Sequence, residues 1–330
     1  MARRPNPRDG RDDDPLIDSA LSSFNRLDPR TRIVVLVLMI VAAIAVGLYL
    51  QHQRQSPTSA PQTGAPVSPH LLLGNPSGAT PDQGNRANYL MVKPYYALSY
   101  NDTSGTPNWV SWRVIQNDLG EAPRKPTFDP DAELPSSFYH VTHKDYSGSG
   151  FDRGHMCPHS DRAANREMSY ATFIMSNIIP QAPHVNQKAW AQFESYCREQ
   201  VRTGEHLYVV SGPLGQGGKG SNGFKETIAG GKVKVPASCW KVVVIVPESG
   251  DDDLAKISSA TRVITILMPN DNDLVGEDWA RFRTSAAAVE SQAGLKFFDR
   301  LPDAIAQSLR QRVDNVYIPP PKPMTHGGGE

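Results

Sequence analysis

The segments GFDRGHMCPHSDR (residues 150–162) and SNIIPQAPHVNQKAWAQFESYCR (residues 176–198) carry the densest chemistry of the chain. The first supplies Asp152, Arg153, His155, Cys157, His159, Asp161 and Arg162. His155 and His159 stand four apart, as in a helical zinc-protease motif, but Pro158 would break that helix and no Glu follows His155. A zinc site from His155, Cys157 and His159 would need a fourth ligand. A polar loop of paired Asp and Arg accounts for the charges. It does not account for a His directly after Gly154, where backbone can come close to a ligand. In the second segment the spacing predicts a helix over 182–201, with Ala189, Trp190, Phe193, Tyr196 and Cys197 on one stripe at 100° per residue. Asn186 and Glu194 then lie about 12 Å apart along the axis, too far to ligate one ion together. One direct oxygen ligand, with a carboxylate reaching the ion's waters, suits Mg²⁺, which dehydrates reluctantly. Glu194 and Arg198 form an i,i+4 pair on the edge of the stripe. Read alone, Asn186 is better taken as a helix cap and Glu194–Arg198 as a surface pair.

Outward from this centre, strands are expected at 95–100, 110–114, 206–210, 239–246 and 262–268, each rich in β-branched or aromatic residues and bounded by turn residues. A second helix is expected at 277–292, opened by acidic residues suited to its N-terminal dipole. Strands and helices do not alternate strictly, so the fold class is α+β rather than a doubly wound parallel sheet. The Gly-rich stretch at 212–223 lacks the GxxxxGK[ST] pattern and reads as a flexible surface loop.

Further out, IVVLVLMIVAAIAVGLYL at 33–50 is eighteen residues without a charge, long enough for a transmembrane helix. Arg26, Arg30 and Arg32 precede it and only Arg54 follows closely, which puts the N-terminus in the cytoplasm and the C-terminal bulk on the extracytoplasmic side. Residues 1–32 read as a disordered cytoplasmic arm, 51–83 as a Pro/Ser/Gly-rich linker, 84–316 as the folded domain and 317–330 as a disordered tail. Lys+Arg and Asp+Glu balance at 34 each, which excludes a globally basic nucleic-acid coat. Residues 82–330 hold 26 basic and 28 acidic side chains, a net of −2, so any nucleic-acid contact is local to a cleft, salt-sensitive and poor in base information. Three Cys allow one disulfide but no scaffold.

DRGHM, then N-x-x-PQ about thirty residues later, then N-Q-x-x-W with a Glu eight residues past that Asn, resembles the DNA/RNA non-specific endonuclease family, of the Serratia nuclease and endonuclease G type. NWVSWRV (108–114), RKPTFDPD (124–131), YVVSGPL (208–214), VPASCWKVVV (235–244) and AVESQAGLKFFDRLP (288–302) follow the family's order. The resemblance implies a ββα-metal (His-Me) finger nuclease with a central, mostly antiparallel sheet flanked by helices. Its finger strands would be 151–155 and 173–179, with a helix from about Val185. It implies His155 as general base, Asn186 as the protein ligand of one Mg²⁺ (Mn²⁺ as substitute) and Glu194 on a metal-bound water. Arg124 would neutralise transition-state charge, Arg153 and Arg198 would be supports with Arg198 orienting Glu194, and Asn177 would fix the finger near His155. DNA and/or RNA would be the substrate, cut to 5′-phosphate and 3′-hydroxyl ends, and a homodimer is compatible with it. His159 stands where the family often has a small residue, offering a further phosphate contact or weak metal binding. A catalytically silent binding domain and a small-nucleotide phosphodiesterase are the alternatives on the same scaffold.

Overall fold

The computed structural model describes residues 28–31, 33–35, 68–247 and 253–318 of the chain, which divides into the units Met1–Ala65 and Pro66–Glu330. In the first unit, Asp28 accepts from the backbone N–H groups of Arg30 and Thr31 and so caps the helical residues that follow. The expected span is placed only at 33–35. Its remainder, the arm before residue 28, residues 51–67 of the linker and the tail after 318 lie outside the described residues. Among the described residues no helix is long and apolar enough to cross a membrane.

The described residues of the second unit hold thirteen strands. They are β1 (Tyr89–Val92), β2 (Ala97–Asn101), β3 (Thr106–Val114), β4 (Asp152–His155), β5 (Ile178–Gln181), β6 (Glu205–Leu214), β7 (Gly218–Gly220), β8 (Gly223–Lys225), β9 (Thr227–Ile228), β10 (Val233–Lys234), β11 (Ser238–Pro247), β12 (Arg262–Pro269) and β13 (Arg283–Thr284). Seven form one sheet in the order β1-β2-β3-β6-β11-β12-β13, every neighbour antiparallel. The five expected strands all fall in it. Its central strands read as largely apolar runs because both faces are covered. On β11, Cys239, Val243 and Ile245 enter one core, while Trp240, Val242, Val244 and Val246 enter the other. Each fully buried Val or Ile contributes about 1.5–3 kcal/mol of hydrophobic transfer.

The helices are α1 (Arg166–Ala171), α2 (Ala191–Arg202), α3 (Asp253–Lys256), α4 (Ala286–Ala293) and α5 (Asp303–Gln311). The first core is closed by α2 and by residues leading into it, including Val185, Ala189 and Trp190. The second is closed by α4, α5 and the segment around Leu73 and Ala79. The folded body therefore takes in residues before 84. The run Leu71-Leu72-Leu73 supplies apolar surface to this core, and Ser77 accepts from the buried Trp109 indole at 2.8 Å.

Three expectations are corrected. The helix at 277–292 is instead a 3₁₀ turn (Trp279–Phe282), the edge strand β13 and then α4. Trp279 is drawn against Phe193 and Tyr196 (ring centroids 4.6 and 5.1 Å), and Ser285 restarts the helix by capping Ala288 N. The Gly-rich loop at 212–223 is ordered as the end of β6 and the β7–β8 hairpin, tied down by Lys219 N to Asn270 O and Ser221 N to Gly150 O. The second finger strand is 178–181 rather than 173–179, because Met175–Asn177 winds into a 3₁₀ turn before the chain extends.

Candidate active site

Strands β4 and β5 form a two-stranded ribbon with Asp152 opposite Gln181, Arg153 opposite Pro180, Gly154 opposite Ile179 and His155 opposite Ile178. Glycine is required at 154 for space: a Cβ there would lie 2.3 Å from the Gln181 Oε1 atom. Asn177 locks the strand exit beyond His155. Its Oδ1 accepts from Cys157 N (2.9 Å), and its Nδ2 donates to Cys157 O (2.8 Å) and Thr172 O (2.9 Å). These bonds hold the backbone two residues beyond His155.

The His155 ring lies against Phe173 and Phe128, with centroids at 4.8 and 5.3 Å. Its Nε2 is buried and has no hydrogen-bond partner among the described residues. Burial first, then the charges of Arg124 and His159, push its pKa down to about 3. The ring is therefore neutral, as a base must be, but lies well below the near-neutral value expected for it. Arg124 stands over the opposite aromatic partner, 5.3 Å from the Phe173 centroid, and makes no ion pair among the described residues. Arg153 stands 5.1 Å over Phe128 and donates to His143 O at 3.3 Å. Two cation–π pairs thus hold guanidinium groups beside the imidazole. His159 is fixed as well. Ser169 gives its hydroxyl proton to Pro123 O (2.9 Å), so the 3.0 Å contact to His159 Nδ1 must be donated by the ring.

Beyond β5 the chain enters a wide i→i+5 turn, Val185–Trp190, before α2. This π-helical turn replaces the regular α-helix expected from 182, so the 100° projection misassigns the angle of Asn186. Asn186 Nδ2 donates to Asp152 Oδ2 (2.8 Å), and Gln187 shares that oxygen at 2.9 Å. A carboxylate only accepts, so Asp152 engages the Asn186 amide nitrogen and not its carbonyl oxygen. Asp152 and His155 are three residues apart on β4, about 10 Å of strand. The imidazole is thus on the strand that anchors the Asn186 amide. The turn is pinned from outside by Asn270 and Asn272, which accept from Ala182 N (2.7 Å) and His184 N (3.0 Å).

The expected Glu194–Arg198 pair is not formed. Arg198 reaches Asp161 Oδ1 (3.1 Å) and Ser195 Oγ (3.0 Å), and Asp161 is held in turn by Trp112 Nε1 (3.0 Å). Glu194 is held by Lys241, whose Nζ lies 2.8 Å from Oε1. The buried lysine under α2 offers this carboxylate a less screened contact than an edge pair can. Lys241, Asn270 and Asn272 are the residues that sequence reasoning missed, and Asp152, read as part of the motif, anchors Asn186 in a role the motif does not show. Of the three missed residues only Lys241 left a signal, as a charge inside an otherwise apolar strand.

Among the described residues no cluster of three or more His, Cys, Asp or Glu side chains is arranged to hold a metal, so the zinc alternative fails. No disulfide forms: Cys157, Cys197 and Cys239 are free and buried, and burial raises their thiol pKa values, to about 12 for Cys197 and Cys239. The ribbon carries a neutral imidazole with an orphaned nitrogen and the Arg153 guanidinium, and its Asp152 anchors the Asn186 amide. Arg124 stands over the Phe173 ring that packs on His155. Such a set can take up a proton, hold a hydrated cation and neutralise phosphate charge.

The sequence profile described as DNA/RNA non-specific endonuclease matches residues 74–304. A protein named Nuclease from Nostoc sp. is 45% identical over 249 residues, 76% of this chain and 87% of that protein. Nuclease EXOG, mitochondrial, from Xenopus laevis is 32% identical over 212 residues, 62% of this chain and 57% of that protein. A solved chain from the EndoG/EndoGI complex superposes with a TM-score of 0.59 at 26% identity, covering 73% of this chain and 94% of that one.

Proposed function

The chain belongs to the DNA/RNA non-specific endonuclease family and is a nucleic-acid-hydrolysing enzyme, and from that premise we propose a Mg²⁺-dependent mechanism centred on His155. The observation that carries it is the orphaned His155 Nε2, buried on the ribbon that also anchors Asn186 through Asp152. A buried nitrogen without a partner costs about 1–3 kcal/mol, which a reactant water would relieve.

The donor set fits a hard, hydrated cation: an amide oxygen at Asn186 would be the direct ligand, and Glu194 would hold its water. A bound Mg²⁺ supplies Lewis-acid stabilisation of phosphate charge. His155 Nε2 takes a proton from the attacking water as its oxygen bonds to phosphorus in line with the leaving 3′ oxygen. The P–O3′ bond breaks, and solvent protonates the departing oxygen. The products are 5′-phosphate and 3′-hydroxyl ends. The phosphate's own negative charge raises the affinity of His155 for that proton, offsetting the effect of Arg124. Arg124, which makes no ion pair among the described residues, neutralises charge on the pentavalent transition state, with Arg153 beside it. Arg198 holds Asp161, and Asn177 positions the strand end. With phosphate and sugar carrying the contacts, cutting is independent of base sequence.

Digestion of plasmid DNA and of RNA, with Mg²⁺ and with EDTA, tests the proposal against His155→Ala. Loss of about 10²–10⁴-fold is expected on removing a general base. Undiminished cutting by His155→Ala would end the assignment. The same reading anchors the enzyme in a membrane through 33–50, with the nuclease unit extracytoplasmic. Complete protection of that unit from protease added to intact cells would overturn the orientation.

A further inference from the structure

We propose that Lys241 is a positioning residue for Glu194, holding one carboxylate oxygen so that the other faces the hydration shell of the cation. This inference rests on the endonuclease reading above.

Lys241 lies on β11 between Trp240 and Val242, on the face shared by Cys239, Val243 and Ile245. It is 2% exposed, yet carries an ammonium 2.8 Å from Glu194 Oε1. The indoles of Trp190 and Trp112 flank that ammonium, with centroids 4.6 and 5.2 Å from Nζ. Taking a charge out of water costs several kcal/mol before pairing, and an apolar residue of similar volume packs in such a place without that cost. The fold alone therefore gives no reason for a cation here. The reason is Glu194, which is 13% exposed and has no other hydrogen-bond partner among the described residues. Arg198, the neighbour one turn on, is committed to Asp161 and Ser195. Two indole faces fix where the ammonium sits, and the ammonium fixes the carboxylate, leaving Oε2 unengaged. Sealed from solvent, Lys241 cannot touch substrate, so any effect it has on turnover passes through Glu194.

The test is a cycle of wild type, Lys241→Met, Glu194→Gln and the double variant, read by kcat and KM on plasmid DNA with Mg²⁺ and separately by urea unfolding without metal. Lys241→Met should lose roughly 10–100-fold in kcat, the scale of removing the support of a metal-site ligand, with KM unchanged. The double variant should match Glu194→Gln in kcat, because Lys241 has nothing left to position. In unfolding, Lys241→Met should have a lower midpoint than the double variant, since it alone leaves a partly buried carboxylate unpaired. Full kcat in Lys241→Met, an equal fold-loss in both backgrounds, or additive unfolding midpoints would each overturn the inference. Should Lys241→Met not fold, a kcat for the double variant below that of Glu194→Gln overturns it. A wild-type protein that cuts no nucleic acid would instead sink the endonuclease reading and this inference with it.

Discussion

Gly154→Ala tests the finger by adding a single methyl group. Gly154 does not have a positive φ, so alanine meets no backbone objection there. The obstacle is steric. The new Cβ would lie 2.3 Å from Gln181 Oε1 and 2.6 Å from Gln181 Cβ. Gln181 is fully buried and neither of its amide atoms has a partner among the described residues, so the side chain has no exit to solvent. Restoring the Cβ contact from 2.6 Å to the 3.4 Å of ordinary contact means opening the ribbon by about 0.8 Å. Overpacking of this kind costs about 1–3 kcal/mol, or about 2–12 °C in Tm for a domain of this size. Because His155 is the next residue, a displacement approaching 1 Å should also cost roughly 10–100-fold in kcat. Thermal melts and plasmid nicking measure the two effects. Rescue should be graded: Gln181→Gly removes both contacts, whereas Gln181→Ala leaves the contact to Cβ. A Gly154→Ala protein with wild-type Tm and kcat, or equal rescue by both second substitutions, would refute the argument.

Asn177→Leu removes the partner of Cys157 N, Cys157 O and Thr172 O, and at about 1–3 kcal/mol for each buried group left unmet it should cost at least about 3 kcal/mol in urea unfolding; a loss below about 1 kcal/mol would contradict the bracing role. His70 is held as one neutral tautomer, accepting from Arg113 N at Nδ1 (3.3 Å) and donating from Nε2 to Pro94 O (3.0 Å), and burial pushes its pKa down from 6.5 to about 4. Between those values the unfolded chain binds a proton that the folded chain refuses, so stability falls as pH falls, by about 1.4 kcal/mol per unit from this group. His70→Gln should show a shallower loss from pH 6.5 to 4, and an equally steep one would contradict the assignment. With all three cysteines free and buried, reducing agent should leave the Tm unchanged, and a thiol reagent should label the protein only after denaturant is added.

Local pattern determined much of this protein. Runs of β-branched residues bounded by turn formers predict five sheet strands, because a strand buried on both faces needs apolar side chains at every position. The spacing of DRGH, Asn177, Asn186 and Glu194 marks the finger, because ribbon and helix are contiguous in the chain. What spacing cannot show is which partner each polar group takes. Glu194 and Arg198 sit one turn apart, yet Glu194 turns to a lysine 47 residues away and Arg198 to an aspartate 37 residues away. Asn270 clips the ribbon from across the sheet. Those choices depend on burial: a charge pair is worth more where water is excluded, and only the packing of β11 beneath α2 decides where that is.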